Sequence, residues 1–337
     1  MSQFTPSIKR VDKKAKAKSQ LKRGLELVKE QRFEEASAEF EAIIRENPAS
    51  ARAHIVMGNL KYRQKDYDEA VNYYKTAIRL EPLKIQGYLR AAKAYFRQRQ
   101  LDNALEQLQN VIKLDPKATL AYVGMGMIAF SRGEHDQATK HFSKAISLNP
   151  RLPAARLRLA LTYLRQQKLS EAAAQINAAL RLDANNPDAY SVLGRIYLIR
   201  KDFPAALEAF QTSIAQKPEA SPNTRLGLIE ALIENNQLDE ATQTLEELPE
   251  SEKLAAIRHK LWGDIYHRQG LFKEATEEYN AATLLSTEDI SELDDLDSLD
   301  IMGDDDADWE QLSTQYRAST DEAMSEKKYQ SLSQLKK

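Results

Sequence analysis

The chain has five histidines, His54, His135, His141, His259 and His267, and no cysteine. Without a thiol it has no thiolate nucleophile, no cysteine-zinc site and no disulfide. Asp264 and His267 stand three apart, so a helix would bring them to one face, where they could share a metal. Two ligands fall short of the three or four protein groups that a zinc site uses. No Gly-rich phosphate loop and no nucleophile elbow occurs. No catalytic residue, metal set or cofactor is therefore assigned, and a non-enzymatic protein is expected. The chemistry that remains is recognition, by Arg and Lys interleaved with Tyr, Phe and Met.

The elements that must position these side chains are repeated helices. In Asp66–Pro82, DYDEAVNYYKTAIRLEP, the residues Ala70, Tyr73, Tyr74, Ala77, Ile78 and Leu80 fall close to one face at a helical spacing. Pro82 lacks an N–H and restricts the residue before it, so the helix should stop near Glu81. The frame recurs. Its alanine column reads Ala36, Ala70, Ala104, Ala138, Ala172, Ala206, Ala241 and Ala275, in steps of 34 with one of 35. Four residues on stand Phe40, Tyr74, Leu108, Phe142, Ile176, Phe210, Leu245 and Tyr279. Twelve on stand Pro48, Pro82, Pro116, Pro150, Ala184 and Pro218. Twelve before stand Gly24, Gly58, Ala92, Gly126, Ala160, Gly194, Ile229 and Gly263. The small residues let two helix backbones come close enough for the large ones to interdigitate. Asp66, Gly133, Asn236 and Gly270 lie at or near the turns within pairs, where Gly and Asn tolerate positive φ.

The 34-residue period with these columns resembles the tetratricopeptide repeat (TPR) family over residues 17–286. The resemblance implies an all-α fold: an α-solenoid, a right-handed superhelix of about eight helix–turn–helix repeats, near 17–50, 51–84, 85–118, 119–152, 153–186, 187–221, 222–255 and 256–286. It implies binding of protein segments as a scaffold, adaptor or assembly factor. The tryptophan common early in such repeats is missing, and the fifth, seventh and eighth copies lack the closing proline, so their ends are expected to shift.

In this family the first helices line a concave groove. Carried onto these positions, the resemblance gives Asn59, Tyr62 and Arg63 in the second repeat. The third gives Arg90, Lys93, Phe96 and Arg97, the fourth Met127 and Phe130, and the fifth and sixth Arg165 and Arg195. A groove with an apolar middle and cationic walls suits an acidic, apolar-anchored peptide. The residue set with which one TPR subgroup grips chaperone C-termini is incomplete here, and no asparagine ladder is present. His54 and His259 share a position that normally packs between helices.

Lysine plus arginine number 48 against 50 acids, a formal net charge of −2, which makes nucleic acid an unfavoured partner. An RNA-binding helical repeat remains a distant alternative. The N-terminus has no apolar signal core, and no run long enough to span a membrane occurs, so a cytoplasmic protein is expected. The charge is unevenly spread. Residues 1–16 form a basic N-terminal arm. Glu288–Glu310 carries twelve acids and no Lys or Arg; since the whole chain carries −2, the rest carries +10. Residues 287–310 read as a disordered acidic linker, and 311–337 as a polar helical segment. Leu293, Leu296, Leu299 and Trp309 are candidate anchors for docking this tail into the groove, within one chain or between two, making the chain a regulatory subunit whose tail gates its groove. Trp309, Leu312 and Tyr316 are also candidates to cover the flank of the last repeat.

Overall fold

The computed structural model describes residues 5–219, 222–249 and 251–286. Among them sixteen α-helices and no strands occur. The chain divides at Arg132/Gly133 into two compact units. Unit 1 holds α1 (Thr5–Lys29), α2 (Phe33–Glu46), α3 (Ala51–Arg63), α4 (Tyr67–Leu80), α5 (Ile85–Arg97), α6 (Leu101–Leu114) and α7 (Thr119–Ser131). Unit 2 holds α8 (His135–Leu148), α9 (Pro153–Arg165), α10 (Leu169–Leu182), α11 (Pro187–Ile199), α12 (Phe203–Gln216), α13 (Pro222–Glu234), α14 (Leu238–Glu246), α15 (Glu252–Gln269) and α16 (Phe272–Ser286). Odd-numbered helices are the first of each repeat, even-numbered the second. The helix built on Asp66–Pro82 ends at Leu80 with Glu81 as its C-cap, as the proline requires.

Within a pair, the large residue of the second helix sits against a bare patch of the first. A Cβ added to Gly24 would lie 2.3 Å from the Phe40 ring, and one added to Gly58 2.5 Å from Tyr74. Gly194 against Phe210 and Gly263 against Tyr279 repeat the contact at 2.8 and 2.5 Å. The two columns covary inside this one chain. Glycine faces an aromatic ring, whereas Ala92 and Ala160 are paired with the slimmer Leu108 and Ile176. Where a ring must be seated, the first helix gives up its side chain.

The turn inside every pair uses one left-handed residue, and these too are 34 or 35 apart: Gln31, Lys65, Arg99, Gly133, Gln167, Lys201, Asn236 and Gly270. Only two are glycine, so type alone does not reveal the conformation. At the second turn the residue is Lys65, φ 63°, and not Asp66. Asp66 instead caps α4, accepting from the Glu69 backbone N–H at 3.1 Å.

Between pairs, the closing prolines have a second use. His54 Nε2 donates to the Pro48 carbonyl at 2.9 Å, and Tyr88, Tyr122, Arg156 and Arg225 donate to those of Pro82, Pro116, Pro150 and Pro218. A side chain six or seven residues on thus clasps each turn and satisfies a carbonyl that the helix has left behind. A further ladder links consecutive second helices to the next turn: Gln98 to Asp68 at 2.7 Å, Arg132 to Asp102 at 2.6 Å, Gln166 to Asp136 at 2.9 Å.

Three features depart from the sequence reading. α1 begins at Thr5, so most of the basic N-terminal arm is helical backbone. α14 spans only nine residues, and α15 starts at Glu252, before the expected boundary. Leu248 and Pro249 end the seventh pair early because its closing proline has moved. The acidic linker with Leu293, Leu296, Leu299 and Trp309, and the segment 311–337, lie outside the described residues, as does the covering of the last flank by Trp309, Leu312 and Tyr316.

Adding a methyl at the bare patch should overpack it. Gly24→Ala is expected to destabilise by about 1–3 kcal/mol, in part offset by about 0.5–1 kcal/mol of helix propensity. In the Phe40→Leu background the same change should cost little or nothing. Denaturation of the two single variants and the double variant checks this; additive losses would contradict the ring-on-backbone account.

Candidate functional site

The unit 1 residues that the sequence assigns to a groove lie on α3, α5 and α7. Helical spacing sets Asn59, Tyr62 and Arg63 along α3, and Arg90, Lys93, Phe96 and Arg97 along α5, at intervals of three and four. Both helices pack on α4: Gly58 of α3 lies against Tyr74, and Gly87 of α5 against Ile78.

Tyr62 is the joint between the two helices. Arg97 Nε donates to the Tyr62 hydroxyl at 3.0 Å, and the Lys93 ammonium lies 4.6 Å from the Tyr62 ring centroid. Its distance is that of a cation–π contact, stronger when desolvated. It is desolvated here: Lys93 is 5% exposed and Tyr62 7%. Arg63 is exposed and Arg90 and Arg97 half-buried, so the cations range from solvent to core. On α7, Met127 is 3% exposed and Phe130 half-buried. Leu120 and Val123 beside them are also buried. The apolar middle is thus packed, with Phe96 and Phe130 its half-exposed aromatic members.

Asn59 has a different partner from the one its position implies. Its side-chain oxygen accepts from the Tyr74 hydroxyl at 2.9 Å, which ties α3 to its own second helix. The eighth pair repeats this bond, Tyr279 donating to Asp264 at 2.8 Å. Burial, then that bond to Asp264, pushes the Tyr279 hydroxyl up to about 12. The other Asp264 oxygen accepts from Lys260 at 3.1 Å. His267 packs edge-on against Phe272 instead, at 5.5 Å between ring centroids. The two candidate metal ligands are therefore engaged separately. Among the described residues no group of three or more His, Asp or Glu could hold a metal ion.

In unit 2, Arg165 on α9 and Arg195 on α11 are half-buried. Asp188 and Glu230 are exposed there, so the sign along these first helices is mixed. The histidines are structural in setting: His54 holds the Pro48 carbonyl, and His259 Nδ1 lies 2.6 Å from Glu278. Burial, followed by the charge on Lys140, pushes the His141 imidazole down. Sequence reasoning missed the Tyr62–Arg97 bond, whose signal is an aromatic on one first helix paired with a cation 35 residues on.

The family described as the cilia and flagella-associated protein 70 C-terminal domain matches residues 12–261 of this chain, well over half of it. No curated protein matches in sequence. Among solved structures, a chain of the APC/C hetero-tetramer Cut9–Hcn1 is similar over 80% of this chain and 52% of its own, at 16% identity and a TM-score of 0.61. This chain thus spans about half the length of that one. A tetratricopeptide repeat protein from Parabacteroides merdae is similar over 78% and 99%, at 15% identity and a TM-score of 0.58. PilF of Pseudomonas aeruginosa is similar over 64% and 97%, at 16% identity and a TM-score of 0.54. At these identities the likeness shows the fold alone. Among the described residues no helix is long and apolar enough to cross a membrane.

Two substitutions separate the parts of the Tyr62 joint. Tyr62→Phe keeps the ring under Lys93 and removes the hydroxyl, and is expected to cost about 1 kcal/mol. Tyr62→Leu removes both and should cost about 1 kcal/mol more, read from chemical denaturation; equal costs would mean that the ring contributes only its bulk. The alkaline limit tests the eighth pair. A tyrosine ionises near 10 when unfolded and Tyr279 at about 12 when folded. The native state is therefore favoured below the lower value and loses that stability as pH rises through the window. Tyr279→Phe should lose less stability across it than the wild type.

Proposed function

The chain belongs to the family of the cilia and flagella-associated protein 70 C-terminal domain, a tetratricopeptide-repeat family, and from that membership we propose that it is a non-enzymatic adaptor or assembly factor that binds an acidic, apolar-anchored protein segment. The fold is that of protein–protein interaction scaffolds. The observation that carries the finer reading is the cluster of cations on α3 and α5 gathered around Tyr62.

In this reading each residue has a role. Arg63 and Arg90 meet carboxylates of the bound segment, and Arg97, oriented by the Tyr62 hydroxyl, meets another. Guanidinium groups suit this because their planar fork matches a carboxylate with two hydrogen bonds. Phe96 and Phe130 take the apolar anchors. Lys93 adds field and not contact, because it is covered. Asn59 positions Tyr74 and is not counted as a ligand-binding group, while Met127 shapes the apolar middle from beneath. Arg165 and Arg195 carry the same chemistry in unit 2. Charge sets register and association rate, and burial of the anchors supplies most of the affinity. A cytoplasmic location goes with this reading, and nucleic acid does not.

The test is titration of the full chain with labelled peptides rich in Asp and Glu and carrying spaced Leu or Trp. Arg63→Glu/Arg90→Glu is expected to raise Kd about tenfold or more, equivalent to about 1.4 kcal/mol. Arg79→Glu, on the exposed side of α4, should leave it unchanged. Added salt should weaken binding mainly through the association rate. Equal weakening by Arg79→Glu, or no preference for acidic over neutral peptides, would overturn the reading.

A further inference from the structure

We infer that the segment 288–310 of this chain is itself an occupant of the α3–α5–α7 face, so that an outside partner must compete with it. This rests on the reading above for the site and goes beyond it by naming the occupant.

The first argument is charge. The segment has twelve acids and no Lys or Arg, while the rest of the chain carries a formal +10. The face supplies the exposed Arg63 and the half-buried Arg90 and Arg97. Leu293, Leu296 and Leu299 recur every three residues between the acids, the pattern of anchor and flank that the face is suited to take.

The second argument is the nature of the other surface near the segment's start, the outer side of α15 and α16. In each earlier repeat the matching side is apolar because the next repeat covers it. Ile78 meets the next first helix at Gly87, and Tyr62 meets Arg97 of the next repeat. The Ile78 column reads Ile44, Ile78, Ile112, Ile146, Leu180 and Ile214, then Pro249 in the seventh pair and Thr283 in the eighth. The Tyr62 column reads Tyr62, Phe96, Phe130, Leu164, Leu198 and Ile233, but His267 in the eighth. Both Thr283 and His267 are exposed. Two columns that are apolar in earlier repeats are thus polar here, as the terminal unit of a stacked array requires, although Leu271, Phe272, Leu284 and Leu285 remain exposed beside them. Its charge is the wrong one for a dozen carboxylates: α16 carries Glu274, Glu277 and Glu278 against the single cation Lys273, whereas α3 and α5 carry Arg63, Arg90, Lys93 and Arg97.

The third argument is linkage. The segment follows α16 directly and belongs to the same chain as the face. Tethering gives it an effective concentration up to about millimolar, so weak contacts suffice to compete with a free partner.

The absence of cysteine makes the test clean. In the full chain, Ser298→Cys is combined either with Gln86→Cys, exposed at the start of α5, or with Gln109→Cys, exposed on α6. The first pair is expected to form a disulfide at least about tenfold faster than the second, in proportion to the higher local concentration. The rate should fall with added salt and with Asp294→Asn/Asp295→Asn/Asp297→Asn. A crosslinked monomer and a crosslinked dimer both place the segment on the face, and their masses tell whether it acts within a chain or between two. Equal rates for the two pairs, or rates indifferent to salt and to the neutralised acids, would overturn the inference. Acidic peptides binding to the face without such a preference would leave the proposed function standing and remove the tail from it.

Discussion

The fold depends on one close contact made again and again: a large side chain of the second helix lying on the first, which is bare where that side chain is a ring. With a ring atom only 2.3 Å from where a Cβ on Gly24 would be, the two backbones cannot be held at this separation by any other residue. Interiors pack at crystal density and give little when volume is added. The separation then sets which first-helix residues reach the neighbouring pair, and so where Tyr62 meets Arg97 and Lys93. The cluster around Tyr62 is a by-product of spacing that the core enforces.

Stacking is secured by contacts that differ in kind from this one. The proline clasps and the Gln98–Asp68, Arg132–Asp102 and Gln166–Asp136 ladder are polar and lie at the turns. Where the aspartate column holds Ser170, Arg200 turns to the Leu169 carbonyl at 3.4 Å. The ladder tolerates a lost acceptor because a helix start offers backbone groups nearby. Exposed pairs of this sort contribute little each; their use is to fix the angle at which one turn follows the next, while burial of columns such as Ala36, Ala70 and Ala104 holds the pairs together.

The helix pairs were legible in the sequence because period, glycine column and proline column agree, and each has a physical cause acting within some twenty residues. The left-handed turn residues were legible only by register. Lys65 and Arg99 have no side-chain reason to adopt positive φ, and do so because the pair closes on them. Shifted ends in the seventh and eighth pairs followed from a moved proline, but their positions did not. The site was less legible. Spacing puts Lys93 and Asn59 on the face of a helix; it does not say how near the next first helix comes or where a hydroxyl lies. Lys93 proved covered and Asn59 bonded to Tyr74 because those facts depend on residues 31 and 15 positions away.

The buried lysine bears on what kind of surface this is. A cation held under cover is costly unless something compensates for lost water, and an isolated solvated face would gain nothing from it. Here it lies against the ring whose hydroxyl also holds Arg97. That arrangement restricts Arg97, and under the proposed function a side chain already ordered gives up less freedom on binding. Lys93 contributes a charge that water screens less than it screens Arg63. A solvated cationic helix would instead distribute its lysines outward, with long stems free to move. Placing one charge in the joint between α3 and α5, beside the half-buried Arg97, concentrates positive charge on residues that also hold two repeats in register, so that under the proposed function the same few side chains would serve stability and recognition together.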